Sequence, residues 1–412
     1  MDKEFVSNNR KKLMRDIEDD SVILIFAGKA PYKSADETYA FTPNRNFYYL
    51  TGIDEEEIIL LMAKKDNIFN ECLYIKRPDE IMARWMGPTI SEEENTKLTG
   101  IKNIKYLDEF YEDFATLLNR VEFSNIYLDL ERRQWNESST EARIFAKNIR
   151  NKYPYLNIKN VYNKICKLRT IKTNEEIKLI KTAIDITKDG IYNMMKNIKP
   201  GMMEYEVEAY FDFILKKNGV KDFAFPSILA SGENATVLHY YNNNCKTKDG
   251  DLLFCDLGAQ YKYYNGDISR TFPVSGRFTE RQKDIYKVVL EANNVISENA
   301  KPGVSFSELE NVTKKVLAGG CKTLGLIKDE SELQEYYFHS FGHYLGSDTH
   351  DVGSYKENLK EGMIITDEPG LYIKEEGIGI RIEDDLLITK YGCEILSNDI
   401  IKSIEDIENF MK

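Results

Sequence analysis

Four carboxylates and four histidines in this chain stand in settings that could do chemistry. The histidines are His239, His339, His343 and His350. Asp256 and Asp267 lie in DLLFCDLGAQYKYYNGDISRTF, Glu368 in TDEPGLY and Glu383 in GIGIRIEDDLLIT. Strand-like runs flank a Tyr/Asn/Gly turn between the two aspartates, which predicts a hairpin. Glu383, among Ile380, Ile382 and Leu386, is expected in mid-strand, with Arg381 two residues earlier on the same face. An ionised carboxylate there is costly unless it is paired or bound to a metal. Four such carboxylates turned inward with an imidazole would repel one another and take up protons. Two divalent ions bridged at about 3.5–4 Å would relieve this, acidify a bridging water and polarise a scissile carbonyl. The oxygen-rich donor set favours Mn²⁺, Fe²⁺ or Co²⁺ over a thiolate-type zinc site. His339 and His343 are four apart, as on a zinc-binding helix. Gly342, Gly346 and the lack of HExxH argue against that class, and hydrogen-bonded core or loop histidines are the plainer alternative.

The elements that must position these groups are also legible. Residues 21–28, 56–63, 71–76 and 126–130 read as strands, and 91–100, 106–120 and 139–154 as helices. Their alternation predicts an α/β domain. The segment around 164–173 reads as a link to a long amphipathic helix. Thr173 with Glu176 forms a capping-box pattern at its start, and Pro200-Gly201 stops it. Beyond it Asn197-Ile-Lys-Pro-Gly201 recurs 102 residues later as Asn299-Ala-Lys-Pro-Gly303. Each copy joins two helices, and strand-rich sequence follows, so the second domain is expected to be an internal duplication. The boundaries are read as 1–168 and 169–412.

Composition narrows the function. The 412 residues carry 56 Lys and Arg against 68 Asp and Glu, a formal charge of −12. An acidic chain repels phosphate backbones, so no nucleic-acid partner is expected. No stretch approaches 18 consecutive apolar residues, so no membrane span is expected. The first twenty residues lack an apolar signal-peptide core. The six cysteines form no CxxC pair and read as free thiols in a reducing cytosol, giving a cytoplasmic expectation.

The phrases RNFYYLTG, DLGAQYKYYNGDISRTFPV, HSFGHYLGSDTHD, DEPGLY and GIRIEDD resemble, in order and spacing, the aminopeptidase P/prolidase family of "pita-bread" dinuclear metallopeptidases. The resemblance spans nearly the whole chain. It implies a mixed-sheet α/β domain of the creatinase/aminopeptidase P N-terminal type, followed by a pita-bread domain with a pseudo-two-fold repeat. It also implies that Asp256 chelates one metal, Asp267 and Glu383 bridge both, and His343 and Glu368 complete the second site. The cofactor is then two Mn²⁺, with Co²⁺, Fe²⁺ or Zn²⁺ as alternatives. Glu368 would move the catalytic proton. His239 and His350 would hold substrate and stabilise the oxyanion. His339 would line the pocket, Arg381 would orient Glu383, and Asp351 would act as an orienting partner. Tyr372 would reach the site or simply pack beside it.

Trp85, in ARWMGP, matches a position that the family sends into a neighbouring subunit's active site, so a homodimer or homotetramer is implied. Packing within the N-terminal domain is the alternative. Asn46 departs from the family pattern, which often has an acidic residue there, and this bears on how the substrate's amino group is anchored. The implied activity is release of the first residue from peptides whose second residue is proline. The alternative is a prolidase cleaving Xaa-Pro dipeptides. A peptide-binding module or a creatinase is disfavoured, because such relatives usually lack the metal ligands and here all five are present.

Overall fold

The computed structural model describes residues 2–412. The chain forms two compact units, one ending at Arg169 and the other spanning Thr170–Lys412. In the first, six strands make one mixed sheet. Their spatial order is Ile104–Tyr106, Ile68–Ile75, Ile59–Lys65, Ser21–Phe26, Asn125–Leu128 and Asn157–Asn160. The three central strands pair antiparallel, and the outer ones join in parallel. Alternate residues of Ser21–Phe26 serve two cores. Ile23 and Ile25 pack with Phe5, Leu13 and Phe47. Val22 and Leu24 pack with Phe110, Phe114 and Phe145. That is the period of two expected of a strand covered on both faces.

The link expected around 164–173 is largely helix: Tyr162–Thr170 is helical, with Ile165 buried in the first core. Apolar packing on one face overrides a sequence without a strong helical period. Trp85 lies on the short helix Glu80–Met86 with 82 % of its surface exposed, so packing within this unit is not its role. Asn46 is buried. Its amide donates to Asp129 at 2.9 Å, and its oxygen accepts from Arg169 at 2.8 Å. Both ends of its side chain are therefore engaged inside the unit.

The second unit displays its duplication in backbone detail. The helix pairs are Asn174–Asn197 with Glu204–Lys217, and Glu280–Asn299 with Phe306–Thr323. Asn197 and Asn299 each donate to the carbonyl four residues back, both at 2.7 Å. Gly201 and Gly303 take φ of 95° and 93°, a region that favours glycine. Their N–H groups reach Thr247 and Leu359 at 2.8 and 2.9 Å. One antiparallel sheet, in the order Ile268–Pro273, Leu252–Leu257, Ile228–Ser231, follows the first helix pair. Another, Ile364–Asp367, Asp384–Ile388, Cys393–Ile395, follows the second. The two sheets touch where Glu383 N–H donates to Ser269 C=O at 3.0 Å.

Glu383 is not in mid-strand. Ile378–Arg381 pairs with Gly370–Ile373, whereas Asp384–Ile388 pairs with Ile364–Asp367. Ile382 and Glu383 form the crossing between these partners. The apolar alternation continues through the break, so the sequence pattern conceals it.

Candidate metal centre

Asp256 lies on the central strand Leu252–Leu257, opposite Ser269 on one side and Ile228 on the other. The chain returns through a tight turn at Lys262 and Tyr263, both at positive φ. Asp267 then stands immediately before Ile268–Pro273, and its N–H donates to Asp385 at 3.1 Å. A side chain at Gly258 would meet the Gly266 carbonyl at 2.1 Å, so only glycine lets the two arms close this tightly.

The second half supplies the rest. Gly342 brings the histidine loop against Thr366, whose carbonyl a Cβ would meet at 2.2 Å. The next residue, His343, donates its N–H to Thr366 Oγ1 at 3.0 Å, and that hydroxyl donates to Glu368 at 3.3 Å. His343 Nδ1 faces the Tyr344 carbonyl at 3.0 Å. A carbonyl only accepts, so Nδ1 carries a proton, and Nε2 is the ring atom left to meet a cation. Nε2 points at Asp267 Oδ2 at 3.4 Å and Glu368 Oε1 at 3.6 Å. Ligand atoms of Asp267, His343 and Glu383 all lie within 4.8 Å of one another.

Arg381 and Ser269 brace the carboxylates. The Arg381 guanidinium donates to Asp256 and, at 2.8 Å, to Ser269 Oγ, which donates to Glu383 at 2.6 Å. Arg270 is fully buried and uses all five donors. They reach the carbonyls of Ser269, Glu383, Ile400 and Ile401 and the carboxylate of Asp384. It thereby holds the backbone of the crossing that carries Glu383. Ser269, Arg270, Thr366 and Asp385 were not singled out from the sequence. The one available signal was Arg270, a charge in an otherwise apolar strand run.

Burial pushes Asp267 well above the usual carboxylate range, and Asp256, Asp385 and Glu368 add to it. Burial and Asp267 push Glu383 the same way. Burial also raises Asp256, against the pull of Arg381. Glu368 differs: burial raises it, but His343, Arg381, His339 and His350 together outweigh burial and hold it below the ordinary value. Burial opposes the charge of Arg381, yet Asp256 and its neighbours keep that guanidinium firmly protonated.

Two observations say that these residues fit cations. Asp256 Oδ1 is buried with no hydrogen-bond partner, and such an atom is costly unless something positive meets it. His343 Nε2 faces two acceptor oxygens, an arrangement that calls for an ion or for protons.

The remaining expected residues divide. His339 Nδ1 donates to the Ser340 carbonyl at 2.8 Å and its Nε2 accepts from Tyr372 at 2.9 Å, with Glu368 3.9 Å away. Burial holds its pKa below the ordinary imidazole value. The His350 ring lies 4.3 Å from that of His343. Asp351 makes a buried ion pair with Lys172 at 3.0 Å. His239 is exposed, stacks on Tyr241 at 5.7 Å, and makes no hydrogen bond or ion pair with any of the five carboxylate and imidazole groups.

Comparison with known proteins now bears on this geometry. Residues 178–390 match metallopeptidase family M24, and residues 6–127 match the aminopeptidase P N-terminal domain. The Xaa-Pro aminopeptidase of Escherichia coli (strain K12) is 31 % identical over 432 residues, covering 98 % of this chain and 96 % of its own length. A Bacillus anthracis structure assigned to aminopeptidase P superposes with a TM-score of 0.98 at 53 % identity, covering 100 % of this chain and 98 % of that one. The Xaa-Pro dipeptidase of Pyrococcus horikoshii is 33 % identical over 371 residues, 89 % of this chain and 93 % of its own. The chain belongs to metallopeptidase family M24, in its aminopeptidase P branch, and is a metallo-aminopeptidase.

Proposed function

We propose that the protein is an Xaa-Pro aminopeptidase working with two divalent ions, Mn²⁺ foremost, held by Asp256, Asp267, His343, Glu368 and Glu383. The observation that carries this is His343 Nε2 aimed between Asp267 and Glu368, with Glu383 in the same cluster. In this reading the second domain, 169–412, is catalytic, and 1–168 is accessory. When bound, the ions supply Lewis acidity toward the scissile carbonyl and the attacking water.

The protein's own groups do the rest. Glu368 is held ionised by His343 and Arg381, so its carboxylate can accept a proton from the attacking water and pass it to the leaving nitrogen. In this reading His350, whose ring lies 4.3 Å from that of His343, donates to the developing oxyanion. His239 contacts substrate from its exposed position. His339 and Tyr372 form a hydrogen-bonded wall beside Glu368. Arg381 orients Glu383 through Ser269. Asp351, held by Lys172, anchors the loop carrying His350.

The proline preference rests on the relatives' activity. Proline removes an N–H and stiffens the bond, so such chain ends need a dedicated pocket. The exposed Trp85 suits a role in a neighbouring subunit's site within a homodimer or homotetramer. No helix of the described residues is long and apolar enough to cross a membrane, and a cytoplasmic setting is part of the proposal.

The test compares an Xaa-Pro-Yaa tripeptide with an Xaa-Pro dipeptide on Mn²⁺-loaded enzyme. Faster release of Xaa from the tripeptide supports the reading. Cleavage of the dipeptide alone would make the protein a prolidase.

A further inference from the structure

Beside the metal centre lies a groove of about 860 Å³ between the helix Phe306–Thr323 and the turn Glu330–Glu335. Its walls include Asn311, Lys315, Gln334, Tyr337, Phe338 and His339. Its volume suits a short peptide rather than one side chain. His339 belongs to both places: it lines the groove and stands 3.9 Å from Glu368. Glu368, in the reading above, hands the proton to the leaving nitrogen. In that reading the proline side of the scissile bond lies toward Glu368, and the groove, which shares His339 with the site, is the neighbouring space open to the chain beyond it.

The lining suits such a chain. Phe338 is 50 % exposed and offers an apolar wall. Asn311 and Gln334 are exposed amides that can meet both backbone donors and acceptors. Of the charged groups on the walls, Lys314 pairs with Glu310 at 3.0 Å and Glu330 with Lys322 at 3.0 Å. Lys315 is exposed and has no hydrogen-bond or ion-pair partner among the described residues. One positive charge is left uncompensated, in a protein whose net charge is −12.

We propose that this groove binds the substrate chain downstream of the proline, and that Lys315 selects carboxylates carried on it. The proposal rests on the Xaa-Pro aminopeptidase reading. It adds a site that a dipeptide cannot reach.

A charge-reversal experiment on the full-length, Mn²⁺-loaded enzyme tests it. Two C-terminally amidated hexapeptides, Ala-Pro-Ala-Ala-Asp-Ala and Ala-Pro-Ala-Ala-Lys-Ala, are compared with Ala-Pro-Ala as reference. The native enzyme should favour the Asp peptide through a lower KM, by about two- to fivefold, the size of one solvent-screened ion pair. Lys315→Glu should reverse the preference. At about 1 M salt, where the screening length is about 3 Å, the preference should fade in both forms. Equal kcat/KM for the two hexapeptides in both forms would overturn the proposal, as would a Lys315→Glu effect that is the same for both tails. Tripeptide cleavage without tail preference rejects the groove alone. No cleavage of any of the three rejects the Xaa-Pro reading itself.

Discussion

The two halves of the catalytic unit share one framework and contribute different chemistry. Both end a helix with the same asparagine bond and the same positive-φ glycine, and both follow a helix pair with an antiparallel sheet. The first half gives only oxygen: Asp256 and Asp267, deeply buried and pushed toward protonation by burial. The second half gives an imidazole protonated at Nδ1, a carboxylate held ionised by its neighbours, and Glu383 on a crossing between strands. A duplicated scaffold thus yields an asymmetric centre. The two halves differ in what they carry. In the function proposed above, the first pair holds cations and Glu368 moves the proton.

The sharpest way to break this comparison is to remove the group on the crossing. Glu383→Ala should lose metal occupancy, read by elemental analysis, and cost at least about 10³-fold in kcat/KM, the several kcal/mol attributed to metal catalysis. Retained occupancy and rate would reject the ligand set. His350→Ala should keep both metals and lower kcat by roughly 10²–10³-fold if it meets the oxyanion. An unchanged rate would leave it a structural neighbour of His343. Ser269→Ala, which removes the hydroxyl between Arg381 and Glu383, should weaken metal affinity about 10–100-fold, the usual size of such an effect. Unchanged affinity would mean that Arg381 alone suffices.

The contrast in proton affinity gives a test by pH. Asp267 and Glu383 are raised in the metal-free fold, so the native state holds protons that the unfolded chain has lost. Stability of the metal-free protein should therefore fall as pH rises above the ordinary carboxylate range. Mn²⁺ should restore it, more strongly at higher pH, with protons released on binding. Thermal unfolding with and without metal across pH 5–8 measures this, in the window set by those two upward shifts. A metal-free Tm independent of pH would contradict it.

The smallest effect probes the shared framework. A Cβ at Gly190 would meet Phe211 at 2.2 Å, and one at Gly320 would meet Val288 at 2.2 Å. Alanine at either position should cost about 1–3 kcal/mol by overpacking, with similar Tm losses in the two halves. A loss at only one would show that the halves are not packed alike.

Much of this was legible in the residues. Helix caps such as Thr173 with Glu176 are local hydrogen bonds, so local sequence predicts them, and the structure contains that capping box. The duplication was legible because its marker, NxKPG, encodes a turn that only a few residue types can make. The five candidate ligands came from their contexts and from family resemblance. What escaped were groups that act through neighbours distant in sequence. Ser269 and Glu383 are 114 residues apart, yet their side chains are 2.6 Å apart. Arg270 binds the Glu383 carbonyl across 113 residues. Glu383 itself looked like a strand residue because hydrophobic alternation reports burial, not which strand is the hydrogen-bond partner.

By itself, then, the sequence determined the element types, the duplication and which side chains were chemically capable, since these depend on residue type and short-range spacing. Only the tertiary structure decided which proton His343 keeps, which carboxylates repel and which is held ionised. Those outcomes depend on distances of three to four ångströms between groups brought together from across the chain, and on how little water is left between them.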